Sequence, residues 1–175
     1  MAHFEQTRFV SNVKAAYPAF FVNRRVLEIG SYNVNGTVRD FFEGCDYTGI
    51  DVFPGPCVDV VCSGHEYTAE PFDVVISCEM FEHNPHWQQT LNNIAFNLLK
   101  PGGLFVMTCA TTGREEHGTL RTRATDSLSS IFYGDYYRNL TEVDFRSVLD
   151  MDSIFKEYRF GFEVLDIYLY GIKHS

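Results

Sequence analysis

Residues 30–36 read Gly-Ser-Tyr-Asn-Val-Asn-Gly: Gly30 and Gly36 bracket Ser31, Tyr32, Asn33 and Asn35. Glycine and asparagine are the types that best tolerate positive φ. The segment therefore reads as a tight turn whose backbone N–H groups can face a ligand carboxylate or hydroxyl. On its own it is equally an ordinary strand-to-helix turn. Asp51, followed by Val52, ends an apolar run roughly 20 residues further on, where an acid can accept hydrogen bonds from both hydroxyls of a ribose. Singly, Asp51 could be a solvated turn acid. The pairing of turn and acid at that separation points to a nucleoside ligand.

Three absences narrow the choice of nucleoside. The turn lacks G-x-G-x-x-G and with it the close glycine approach to a pyrophosphate. No Tyr-x-x-x-Lys pair is present, and the phosphate-binding pattern G-x-x-x-x-G-K-[ST] is missing. For proton transfer, His117 in Arg-Glu-Glu-His-Gly-Thr is the best candidate base, because an imidazole titrates near pH 6.5. A loop histidine with a structural hydrogen bond explains it equally. Tyr133, Tyr136 and Tyr137 with Arg138 read either as an acceptor pocket or as aromatics packed over the sheet end. Arg114, Arg121 and Arg123 are candidates for an anionic group on a substrate. His83 and His86 stand three apart without a third ligand at a defined offset, so no metal site is expected.

The elements that position these residues are readable from periodicity. Phe4, Val10, Val13 and Tyr17 predict an amphipathic helix closed by Pro18 and packed on the sheet edge. Val26–Ile29 predicts a buried strand, residues 36–42 a helix carrying Val38, Phe41 and Phe42, and residues 47–52 a strand ending in an acid. Further strands are expected at 58–61, 72–77 and 104–110. A helix over 87–99 carries Leu91, Ile94 and Leu98 on one stripe and is stopped by Lys100, Pro101, Gly102 and Gly103. Apolar strands separated by helices or long connections predict a doubly wound α/β sheet. Residues 111–140 lose periodicity and are too long for an ordinary loop, which marks them as a lid or substrate segment. Thr141 with Asp144 predicts an N-capped helix to Leu149, and the tail reads as an antiparallel strand pair around Gly161.

Composition fits one globular domain over residues 1–175: 45% of residues are hydrophobic and 21% charged. A formal charge of −9 disfavours a general nucleic-acid binder. Five cysteines, Cys45, Cys57, Cys62, Cys78 and Cys109, with no C-x-x-C spacing, read as reduced thiols of a cytoplasmic protein. Glu5 and Gln6 stand where a signal peptide is apolar, and no run approaches the ~18 apolar residues that span a bilayer.

The order VLEIGSYNVNG, YTGID, FDVVISCEMFEH, LLKPGGLFVMT resembles the class I S-adenosylmethionine-dependent methyltransferases, type 11 group, over roughly residues 24–110. The resemblance implies a mostly parallel, doubly wound seven-stranded sheet with one antiparallel strand and helices on both faces. It implies S-adenosyl-L-methionine as cofactor, with S-adenosyl-L-homocysteine as product. Glu28 and Gly30 match the motif that organises the methionine end of the cofactor, and Asp51 matches the ribose acid. Cys62 and Ser63, with Gly64, fall where the family lines the adenine, and Cys78 and Glu79 end the fourth strand beside the sulfonium. His83, after Glu82, borders the methyl-transfer pocket. The turn departs from the family where its second and third glycines fall on Tyr32 and Val34, so it is expected to take a different path. The reading is methyl transfer to a small molecule, at oxygen or nitrogen. The alternatives are a catalytically silent cofactor-binding partner or regulatory subunit and, less well supported, a nicotinamide-dependent reductase. Homo-oligomerisation stays open.

Overall fold

The computed structural model describes residues 4–175. Seven strands form one sheet in the order β3-β2-β1-β4-β5-β7-β6. They are β1 (Arg25–Ile29), β2 (Asp46–Asp51), β3 (Val60–Val61), β4 (Phe72–Cys78), β5 (Leu99–Ala110), β6 (Phe155–Glu163) and β7 (Asp166–Lys173). Strands β1 to β5 pair in parallel, whereas β7 runs antiparallel to both β5 and β6. The expected mostly parallel sheet with one antiparallel strand is therefore the observed one. Winding reverses between β1 and β4, which opens a crevice beyond their carboxyl ends.

Both faces are covered. On one, Val10 and Val13 of α1 (Phe4–Ala16) pack with Phe21 and Val38 against Val26, Val74, Ile76, Leu104 and Val106. The helix thus lies on the sheet face and not on its edge, because the central strands are apolar on both sides and need cover. Phe4 is left 72% exposed. On the other face, Trp87 and Leu91 of α2 (Trp87–Asn93) and Phe145 of α4 (Glu142–Val148) meet Leu27, Ile29, Val75, Phe105 and Met107. A π-helical turn, Ile94–Leu98, continues α2 to β5 and keeps Ile94 and Leu98 buried. The Lys-Pro-Gly-Gly stretch ends the helix as expected and then forms an irregularity within β5, where pairing jumps from Phe72–Leu99 to Val74–Leu104.

Two elements differ from expectation. Residues 36–42 form only a 3-10 turn, Arg39–Phe41. The Asn33 side chain accepts from Gly36 N–H at 2.7 Å, and Gly36 takes φ 141°, so the first turn of a helix cannot form. The tail reverses at Val164 (φ 57°) and not at Gly161, which stays in the ladder opposite Tyr168. Tyr158 and Phe160 pack on the core from β6, so the strand must run past Gly161 to keep both on one face. Thr141 and Asp144 form a reciprocal capping box at the start of α4, as their spacing predicts. All five cysteines are unpaired, and among the described residues no helix is long and apolar enough to cross a membrane.

Candidate active site

The carboxyl ends of β1, β2 and β4 and the 111–140 segment line one cleft that opens to solvent. At the β1 tip Gly30 takes φ 84°, and a Cβ there would stand 2.6 Å from Met80 Cβ. Only glycine lets the turn pass so close to the end of β4. The N–H groups of Gly30 and Ser31 both donate to the Ile50 carbonyl, at 2.9 and 3.1 Å, tying turn to β2. Asp51 then receives the Tyr32 N–H on Oδ2 at 3.2 Å and the Phe53 N–H on Oδ1 at 3.3 Å. Burial raises its pKa. Each oxygen retains a lone pair for a further donor.

Glu79, at the end of β4, adopts φ 53° and turns its carboxylate into the cleft. Its Oε1 accepts from the Thr108 hydroxyl at 2.9 Å, and its Oε2 is buried with no partner. Glu82 is fully buried, with Oε1 accepting from Ala110 N–H at 3.3 Å. Burial, reinforced by Asp166 for Glu79 and by Glu79 for Glu82, raises both carboxyls. The Cys78 thiol, pushed up to about 12 by burial and then by Glu28, stays protonated.

The opposite wall is aromatic. His83, His117 and Tyr137 meet edge to face, with centroids 4.9 Å apart for the imidazoles and 5.4 and 5.0 Å from the tyrosine ring. Burial lowers His83 to about 3 and also lowers His117, so both are neutral at pH 7. The Nδ1 of His117 bonds to the Glu115 carbonyl at 3.1 Å. That assigns the proton to Nδ1 and leaves Nε2 with a free lone pair. Tyr133, at the end of α3 (Ser129–Tyr133), donates to the Ser63 hydroxyl at 2.9 Å, while Phe132 meets Phe53 edge to face. These contacts hold residues 126–129 over the cleft.

Of the residues singled out by sequence, Gly30, Tyr32, Asp51, Val52, Cys62, Cys78, Glu79, His83, His117 and Tyr133 come together around this cleft. Others do not reach it. Glu28 is buried away from the cleft and accepts from the Tyr47 hydroxyl at 2.9 Å. Asn33 is engaged with Gly36 and with the Pro56 carbonyl, and Asn35 and Gly36 are exposed. Ser31 is buried beside Gly49, and Ser63 serves Tyr133. Arg114 pairs with Asp166 at 3.6 Å, Arg121 with Glu116 and Asp135, and Arg138 with Asp144. Tyr136 stands outside, and Tyr137 reaches the site only through its ring contacts. Sequence reasoning did not single out Met80 or Asn84 as cleft residues, and it marked residues 126–129 only within the 111–140 segment as a whole. The departure from helical periodicity over 111–140 was the available signal for the last group.

A doubly wound sheet with an antiparallel penultimate position, and a cleft at its switch point closed by an acid on β2, defines the class I S-adenosylmethionine-dependent methyltransferase fold. Residues 1–166 match the family described as "Methyltransferase domain", and the chain belongs to that family. Membership sets aside the nicotinamide-dependent reductase. Among solved structures, the Burkholderia thailandensis 1,6-didemethyltoxoflavin-N1-methyltransferase, with 1,6-didemethyltoxoflavin and S-adenosylhomocysteine bound, superposes with a TM-score of 0.65 at 17% identity, covering 97% of this chain and 78% of that one. The N-methyltransferase NodS from Bradyrhizobium japonicum, in complex with S-adenosylhomocysteine, gives 0.62 at 15% identity over 98% of this chain and 88% of that one. At such identities the likeness is one of fold. No curated protein sequence matches the chain.

Proposed function

We propose that the protein transfers a methyl group from S-adenosylmethionine to an oxygen or nitrogen of a small molecule. The observation that carries this reading is the shared cleft: the acid at the β2 tip and a neutral imidazole from the 111–140 segment line one cavity.

The residues present fit the cofactor. Asp51 has lone pairs for two ribose hydroxyls, the turn at Gly30 leaves no room for a side chain, and Cys62 and Gly64 border the adenine end. Asp51, Glu79 and Asp126 make the cleft acidic, which favours a cationic ligand over its neutral product. When bound, the cofactor supplies an electrophilic methyl on a positively charged sulfur. The chain's task is to align the acceptor with that methyl, an ordering that supplies up to roughly 7–11 kcal/mol. His117 Nε2 takes the acceptor's proton, and the lid residues 126–129 exclude water.

A pocket under the 111–140 segment, in place of a flat apolar face, argues against a silent partner. The acceptor bound in the Burkholderia enzyme, 1,6-didemethyltoxoflavin, is a small molecule, which supports one here. Calorimetry with S-adenosylhomocysteine, followed by a screen of metabolites, sugars and sugar nucleotides with methyl-labelled cofactor, tests the reading. Label in one small-molecule class is expected; heat with NADH and none with S-adenosylhomocysteine would overturn it.

A further inference from the structure

We propose that Glu82, His83 and His117 form a binding site for one divalent transition-metal ion of the Mn²⁺ or Zn²⁺ kind, opening on the acceptor end of the cleft. One ligand atom from each of the three lies within 4.8 Å of the others. Closing each separation by at most about 1.5 Å would bring all three to ordinary bonding distance from a common centre. His86, three residues on from His83, is instead stacked on His65 at 4.2 Å. The third ligand comes from across the cleft.

Three further features point to a ligand. His83 Nδ1 is buried with no hydrogen-bond partner in a residue that is 5% exposed, and beside it the Glu82 carboxyl, apart from Ala110 N–H, meets only the like-charged Glu79 carboxyl. Buried polar atoms are nearly always satisfied, so the unpartnered imidazole nitrogen calls for an occupant. Neither Glu79 nor Glu82 forms an ion pair among the described residues; the nearby Arg114 pairs with Asp166. A dication bound there would displace the carboxyl proton and balance the charge left behind. Finally, the outer contacts are those that orient metal ligands: the Glu115 carbonyl holds His117 through Nδ1, and Ala110 N–H holds Glu82 through Oε1.

Two imidazoles favour Zn²⁺ over Ca²⁺ or Mg²⁺, the carboxylate also admits Mn²⁺, and three protein ligands leave positions open for an exogenous oxygen. That oxygen would belong to the methyl acceptor. Coordination would then lower the pKa of the acceptor hydroxyl enough for its proton to pass to solvent at the open mouth of the cleft, and His117 would act as ligand in place of proton acceptor. This consequence rests on the methyl-transfer reading, whereas metal binding itself does not.

The test is calorimetric titration of EDTA-treated protein with MnCl₂ and, separately, ZnSO₄, with S-adenosylhomocysteine titrated in parallel. One ion per chain is expected, with affinity at least about tenfold weaker in His117→Ala and in Glu82→Gln. His117 sits half-exposed on a loop, so its variant remains informative even where loss of the buried Glu82 carboxylate prevents folding. Protein that binds S-adenosylhomocysteine but neither ion, or ion binding unchanged by His117→Ala, would overturn the proposal. Ion binding without S-adenosylhomocysteine binding would support it and sink the cofactor reading.

Discussion

Tyr133 and Ser63 are 70 positions apart and joined by a 2.9 Å hydrogen bond between their hydroxyls. The bond ties α3 to the segment that follows β3, across the cleft that both of them line. Tyr133→Phe removes about 1 kcal/mol of that tie, which should weaken S-adenosylhomocysteine roughly fivefold by calorimetry. Unchanged affinity would mean that the Phe132–Phe53 contact alone holds the lid.

Asp51 is the acid at the β2 tip, and both its oxygens face donors. Asp51→Asn keeps the size of the side chain and loses the charge. Loss of charge-assisted bonds to two hydroxyls is expected to cost about 2–3 kcal/mol, or 30- to 150-fold in affinity. The stabilisation of about 2.7 kcal/mol expected from S-adenosylhomocysteine at 100 times its dissociation constant should shrink accordingly in a melting assay.

Replacing His117 with alanine should lower turnover about 100-fold with cofactor affinity intact. Burial lowers this imidazole below its usual 6.5, so its unprotonated form prevails at pH 7 and is lost as pH falls. The wild-type rate should therefore be flat above pH 6.5 and decline below it. Persistence of the same acid limb in the variant would clear His117 of that role.

Glu28 offers a test of stability apart from activity. Burial raises its carboxyl from 4.5 to about 7, against the opposing Tyr47 hydrogen bond and Arg39 charge. The folded state thus holds the proton more tightly than the unfolded chain does. This contribution is complete below pH 4.5 and is lost as pH rises through 7. Glu28→Gln should remove a pH-dependent loss on the order of 3 kcal/mol, so that urea midpoints of variant and parent diverge between pH 5 and 8. Parallel curves would show that Glu28 ionises freely in the fold.

Much of the cleft was legible in sequence because strand tips announce themselves: an apolar run that stops at Asp51 or Glu79 places that acid at a sheet edge whatever the tertiary detail. Gly30 was legible for the same reason. What was hidden depended on partners distant in the chain. Glu82 and His117 meet only because the 111–140 segment folds back, and no local spacing encodes that. Arg114 looked available until Asp166, at the start of β7, took it. At residues 36–42 one side chain, Asn33, outcompeted helix propensity, and at Gly161 the need to keep Tyr158 and Phe160 inward overrode the glycine's preference for a turn.

The 111–140 excursion leaves and rejoins the sheet at a single point. Leu140 N–H donates to the Ala110 carbonyl at 3.0 Å, and the Thr111 hydroxyl donates to the Leu140 carbonyl at 2.6 Å. A foreign stretch spliced between those anchors would enter and leave at one backbone seam, where chain length costs little, but would have to replace the Tyr133–Ser63 and Phe132–Phe53 ties that hold it over the cleft. The seam makes the excursion an insertion carried by the sheet, open to exchange by recombination without redesign of the strands beneath.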